Sequence, residues 1–97
     1  MAFPELLKKL RKQHALSQRE LASKVNVDFT YISKIETGAE PPPSEFTLTK
    51  MAHVFGVDQY DMILAAGKFP SDFERLIKTR KDVQEYLKEL LKDGDKK

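Results

Sequence analysis

Two short helical patterns with a very tight joint between them constrain this chain more than any other feature. The first runs Leu16-Ser17-Gln18-Arg19-Glu20-Leu21-Ala22-Ser23-Lys24-Val25 and the second Phe29-Thr30-Tyr31-Ile32-Ser33-Lys34-Ile35-Glu36. Ser17 is an N-cap residue, and Glu20 stands three places on, so each side chain can accept from the other's orphan backbone amide. Leu21, Ala22 and Val25 then form one apolar stripe, with Gln18, Arg19, Ser23 and Lys24 facing out. Ala22 is the small member, which lets a second helix approach closely. Asn26 tolerates a left-handed backbone and ends the first helix, apolar Val27 follows, and Asp28 is the next N-cap. A connection of about three residues makes the two helices one unit with a fixed crossing.

The second helix buries Ile32 and Ile35, and Gly38 stops it after Glu36-Thr37. Phe29, Thr30, Tyr31, Ser33 and Lys34 are left without an obvious place in that stripe. Phe29 and Tyr31 are either core aromatics in a shifted register or part of an exposed face, and an exposed face of two aromatics beside a lysine is poorly suited to bare solvent.

From about Leu6 to Ala66, roughly two thirds of the chain, the residues resemble the Cro and phage-repressor (Xre) helix-turn-helix proteins. The resemblance rests on Leu10-Arg11, Leu16-Ser17-Gln18-x-x-Leu21-Ala22, Asn26-Val27-Asp28, Ile32-Ser33-Lys34-Ile35-Glu36-x-Gly38, Pro43, Leu48, Ala52 and Phe55-Gly56-Val57. The chain departs from the pattern at Asn26, where glycine is usual. It also departs at the acidic, proline-rich Ala39-Glu40-Pro41-Pro42-Pro43, where several relatives carry basic residues. The resemblance implies an all-α, five-helix repressor-like domain that binds double-stranded DNA in the major groove. It also implies that Arg11 pairs with Glu36 as a structural ion pair, and that Gln18 contacts phosphate or braces the recognition helix.

On such a face the residue types have a physical use. Phe29 and the Thr30 methyl group can touch thymine methyls, and Lys34 can reach guanine acceptors or phosphate. Asp28 is first a cap, with a cytosine amino group as a further contact. Tyr31, Ser33 and Thr37 complete the expected DNA-binding set. Glu40 and Glu45, however, place negative charge where the DNA backbone should run.

Net charge is only +2 and becomes informative when divided along the chain. Residues 1 to 38 carry seven Lys and Arg against four Asp and Glu, residues 39 to 70 two against four, and residues 71 to 97 eight against seven. The positive excess sits on the helix-turn-helix third, and a dimer would present it twice. Ninety-seven residues leave no room for a second sizeable core, and 40% apolar with 33% charged is ordinary for a soluble helical protein. There is no cysteine for a disulfide or a thiolate zinc site. Lys8, Lys9, Arg11 and Lys12 interrupt the N-terminal apolar residues, so neither a signal peptide nor a membrane span is expected. The expected location is cytoplasmic.

The rest of the chain is read in order. Helix one spans about Pro4 to His14, with Leu6, Leu7, Leu10 and Leu16 as its buried edge and proline in its first turn. Glu40-Pro41-Pro42-Pro43 is a stiff loop. Ser44 caps helix four, whose stripe is Phe46 or Leu48, Met51, Ala52 and Phe55. Asp58 caps helix five, with Tyr60, Ile63 and Leu64 inward. Residues 1 to 68 thus form the expected DNA-binding domain. Residues 69 to 97 form a C-terminal helical extension, capped by Ser71, with a frayed tail from 93. The extension is one amphipathic helix or two, with a break near Thr79 favoured.

Phe73, Leu76, Val83, Tyr86, Leu87 and Leu90 give the extension more apolar surface than a five-helix domain needs, which suggests a homodimer interface. The competing arrangement folds this segment back over helices one and five. His14 and His53 have no ligand cluster around them, the glycines stand singly at helix ends, and no nucleophile has a base at a useful spacing. Neither an enzyme nor a metal or other cofactor is expected. The reading is a sequence-specific transcriptional regulator, most simply a repressor on a two-fold symmetric operator. The alternative is an antitoxin-like interaction protein whose C-terminal segment holds a protein partner.

Overall fold

The computed structural model describes residues 1 to 95, and these are all-helical with no strand among them. The elements are α1 (Phe3–Gln13), α2 (Gln18–Lys24), α3 (Phe29–Thr37), α4 (Glu45–Phe55), α5 (Gln59–Ala65), α6 (Ser71–Thr79) and α7 (Lys81–Asp95).

Local chemistry accounts for most of these boundaries. Ser17 Oγ accepts from the Glu20 amide at 3.0 Å while Glu20 Oε1 accepts from the Ser17 amide at 2.9 Å, closing the reciprocal cap of α2. Asp28 caps α3 and Asp58 caps α5. At the other end of α2 the Val27 amide donates to Ala22 O at 3.0 Å and the Asn26 amide to Ser23 O at 3.3 Å. Asn26 there adopts φ 56°, the left-handed geometry that lets a helix reverse and satisfy its last carbonyls. The same closure ends α1 at Ala15, φ 53°, with the Leu16 amide on Arg11 O. Alanine has a Cβ that this geometry disfavours, so nothing in its residue type announces the turn.

One core holds α1 to α5 together. Leu7, Leu21, Val25, Ile32, Ile35, Leu48 and Met51 are completely buried, and Phe3, Ala22, Ala52, Phe55, Met62 and Ile63 nearly so. Each buried Leu or Ile contributes about 1.5 to 3 kcal/mol relative to an exposed one. Leu6, Leu10 and Leu16 only flank this cluster. Phe3, just before the proline, is a core residue.

Several sequence expectations need correction. Helix α5 is rotated from the expected phase: Met62 joins Ile63 inside, and Leu64 is 47% exposed. Tyr60 is only partly buried, and its ring stacks on Phe73 at 5.2 Å, outside the core. Leu48, not Phe46, enters the core from α4, and Phe46 lies in the open. Ser71 does not cap α6 with its hydroxyl. Pro70 occupies the cap position, and both the Ser71 amide and hydroxyl donate to Glu45 Oε1, at 2.9 and 3.1 Å. The favoured break near Thr79, by contrast, is present: the extension is two helices, with the extended backbone of Arg80 between α6 and α7. Helix α7 continues past Asp93 to Asp95, helped by exposed Lys88–Glu85 and Lys92–Glu89 pairs, while Lys96 and Lys97 lie outside the described residues.

The α6–α7 hairpin leaves the body instead of covering it. The radius of gyration is 16.3 Å with extents of 46 × 28 × 23 Å, whereas a compact chain of this length would have a radius near 13 Å. Its ties to the body are few, and the Tyr60–Phe73 stack is the aromatic one. Besides Ser71 on Glu45, Tyr60 Oη donates to Asp72 Oδ2 at 2.8 Å.

Candidate nucleic-acid interface

Helix α3 is buried along Ile32 and Ile35, and this fixes what the opposite side can show. Thr30, Ser33, Lys34 and Thr37 stand at i, i+3, i+4 and i+7, a single stripe turned away from the core. Thr30, Lys34 and Thr37 are exposed and Ser33 is half-buried. Asp28 Oδ1 accepts from both the Thr30 amide and the Thr30 hydroxyl, each at 2.8 Å, so the cap engages the hydroxyl and leaves the methyl group as the free part of Thr30. These hydrogen bonds hold the Asp28 carboxyl below its ordinary range. Thr37 Oγ1 donates to Lys34 O at 3.1 Å. Phe29, at the amino end of the stripe, is half-buried, with the Arg19 guanidinium 4.1 Å from its ring centroid. Tyr31 is half-buried against the core, and burial together with the Glu40 charge pushes its phenol up.

An ion-pair network sets the angle of α3. Arg11 Nε and Nη2 donate to the two Glu36 carboxylate oxygens at 2.7 and 2.9 Å, a bidentate pair, while Nη1 donates to Leu16 O at 2.9 Å. Gln18 Nε2 adds a hydrogen bond to Glu36 Oε1 at 3.1 Å. The Glu36 carboxylate therefore joins α1, the start of α2 and the end of α3, and the Arg11 guanidinium adds the α1–α2 turn. Gln18 braces α3 in this arrangement. The pair is sequestered, with side chains 10% and 3% exposed.

Burial pushes the Glu36 carboxyl up, but the hydrogen bonds from Arg11 and Gln18, with the Arg11 charge, bring it below the ordinary 4.5. A carboxyl lowered by folding stabilises the native state fully above its unfolded value and loses that contribution as pH falls through the lower folded value. Denaturant unfolding measured from pH 6 to pH 3 is therefore expected to show a steeper loss of stability in the native chain than in Glu36→Gln. Parallel pH profiles would show that Glu36 contributes nothing.

The hairpin offers a second surface. Phe73, Leu76, Val83 and Leu87, together with Phe69 and Ile77, line an apolar groove of about 200 Å³. Tyr86 and Leu90 are 64% and 47% exposed on α7. Phe69 and Ile77 had no place in the sequence reading. Phe69 precedes a proline outside any helical period, and Ile77 falls outside the stripe chosen for α6. The sequence also missed Arg19, which reads as one more outward residue of α2. Glu45 keeps its negative charge and accepts from the Ser71 amide and hydroxyl. Among the described residues no group of His, Asp and Glu could hold a metal ion, and no helix is long and apolar enough to cross a membrane.

This geometry is matched in known proteins. A helix-turn-helix family model matches residues 7–58, more than half of the chain. The chain is similar to SinR, the master regulator for biofilm formation, in a crystal structure with DNA: 31% identity, TM-score 0.57, covering 63% of this chain and 97% of that one. It is also similar to the structure of the SinR protein/SinI protein complex, with 25% identity and TM-score 0.58, covering 96% of this chain and 98% of that one. No curated protein matches.

Proposed function

The chain belongs to the Xre-type helix-turn-helix family, and from that premise we propose that it is a sequence-specific DNA-binding transcription regulator that represses from a two-fold symmetric operator as a homodimer. The observation that carries this reading is the α3 stripe. Thr30, Ser33, Lys34 and Thr37 project together, while Ile32 and Ile35 anchor the helix and Glu36 locks its far end. No carboxylate within 4.0 Å neutralises Lys34 among the described residues, so its ammonium is free for guanine or phosphate. The DNA bound by SinR in one similar structure supports the same assignment here.

The amino end of α3 enters the major groove in this reading, with Phe29 and the Thr30 methyl on thymine methyls. Asp28 holds the first turn, Gln18 acts as a brace, and Tyr31, Ser33 and Thr37 lie at the margins of the contact. Replacing Thr30 or Phe29 with Ala is expected to cost about 1 to 3 kcal/mol on the selected operator and much less on random DNA. Fluorescence anisotropy on both DNAs checks this, and equal losses would remove these residues from sequence reading.

Residues 1 to 68 would form the DNA-binding domain and residues 69 to 97 the dimerisation element, with a mate covering the groove between α6 and α7. Two recognition helices would then lie about 34 Å apart, one turn of DNA. A second reading is favoured by one observation: the likeness that spans both this chain's body and its hairpin is to a complex of two different proteins. In that reading a smaller protein partner occupies the hairpin, as in the antitoxin-like alternative. Co-purification from native cells separates the two, since a stoichiometric heterologous protein lost on deletion of residues 71 to 92 would favour the second.

A further inference from the structure

The Arg19–Phe29 contact is absorbed by neither the fold nor the α3 stripe. Arg19 is exposed on α2, and no carboxylate lies within 4.0 Å of it among the described residues. The nearby acids are engaged elsewhere. Glu20 Oε1 accepts from the Ser17 amide, and Asp28 Oδ1 accepts from Thr30. What holds the Arg19 head is the face of Phe29, 4.1 Å away. The other cation over a ring, Lys50 on Phe46 at 4.3 Å, differs because its ammonium also donates to Val25 O at 3.4 Å.

We propose that Arg19 and Phe29 form one composite reader of a thymine–guanine step, the ring meeting the thymine methyl and the guanidinium forking onto guanine O6 and N7. The inference rests on the DNA-binding reading above. With the ring beside it and no carboxylate within 4.0 Å among the described residues, the guanidinium has N–H donors free for the fork that a bidentate guanine contact requires. Stacking also orders a long side chain before DNA arrives. The separation of 4.1 Å is close to the rise of about 3.4 Å per nucleotide, so the two groups are spaced to meet neighbouring bases of one strand. Phe29 also packs against the core and is half-buried, so the part of its ring that stays exposed is what meets the methyl group.

Binding-site selection with the full chain, Arg19→Ala, Arg19→Lys and Phe29→Leu tests this. The wild type is expected to enrich a thymine–guanine step in each half-site, and Arg19→Ala to lose about ten-fold or more of its preference for that guanine. Arg19→Lys keeps the charge without the fork and is expected to restore the salt-dependent affinity but not the full guanine preference. A DNA-side measurement is independent of how the variants fold. Uracil for the thymine and 7-deazaguanine for the guanine should each weaken wild-type binding, and the deazaguanine should have little effect on Arg19→Ala. If Arg19→Ala binds all sequences equally more weakly and Arg19→Lys rescues it, Arg19 is a backbone contact and the proposal is overturned. A motif enriched by the wild type and unchanged in Arg19→Ala overturns this inference alone. A wild type that enriches no motif overturns the DNA-binding reading and this inference with it.

Discussion

Arg11→Ala is expected to destabilise the protein by about 3 kcal/mol, because it strands the Glu36 carboxylate in a site that burial has closed to water. The Glu36 side chain is 3% exposed, so solvent cannot replace the two hydrogen bonds that the guanidinium supplies. Gln18 still donates to Glu36 Oε1, which keeps the loss near the lower end of what breaking a buried pair costs. For a domain of this size that corresponds to a fall of at least about 12 °C in Tm. Arg11→Lys should recover only part, since an ammonium cannot reach both carboxylate oxygens and Leu16 O in the guanidinium's planar geometry. Chemical denaturation of the three proteins checks this, and an unchanged midpoint for Arg11→Ala would make the pair energetically equivalent to a surface contact worth about 0 to 1 kcal/mol.

A chain ending at Lys68 is expected to be monomeric and to bind operator about 10²- to 10⁴-fold more weakly, since it loses the effective concentration that links two half-sites. Its salt dependence should also flatten toward half the full-length slope, because one module neutralises half the phosphates. Residues 1 to 68 contain the whole buried cluster, so the shortened chain should still fold. Removing the hairpin breaks the hydrogen bonds from Ser71 to Glu45 and from Tyr60 to Asp72 and the Tyr60–Phe73 stack, all on exposed or half-buried groups. Sedimentation at micromolar concentration beside the full chain decides the matter. A monomeric full-length protein, or a shortened one that dimerises and binds equally well, would rule out the hairpin as the interface.

How much was legible in the residues follows from the range of the forces involved. The cap of α2 by Ser17 and Glu20 and the left-handed turn at Asn26 each lie within five positions of their partners, so residue type and spacing were sufficient. The apolar stripe Ile32 and Ile35 likewise set which side of α3 faces out. The Arg11–Glu36 pair spans 25 positions and came only from resemblance to a family. Periodicity alone offered nothing to choose that glutamate over another.

What the amino-acid order determined by itself was therefore the helices of the domain, the capped ends of α2, α3 and α5 and the outward stripe of α3, because caps, turns and amphipathic spacing act over one or two turns of backbone. Tertiary structure decided the rest. Leu64 reads as a core residue until the packing of α5 buries Met62 and Ile63 in its place. Glu45 reads as a lone surface carboxylate until Ser71, 26 positions away, donates to it. Arg19 reads as a solvated side chain until the crossing of α2 and α3 brings it over Phe29. Each of these depends on how whole helices pack, and packing is set by the sum of all buried contacts, which no short window of sequence contains.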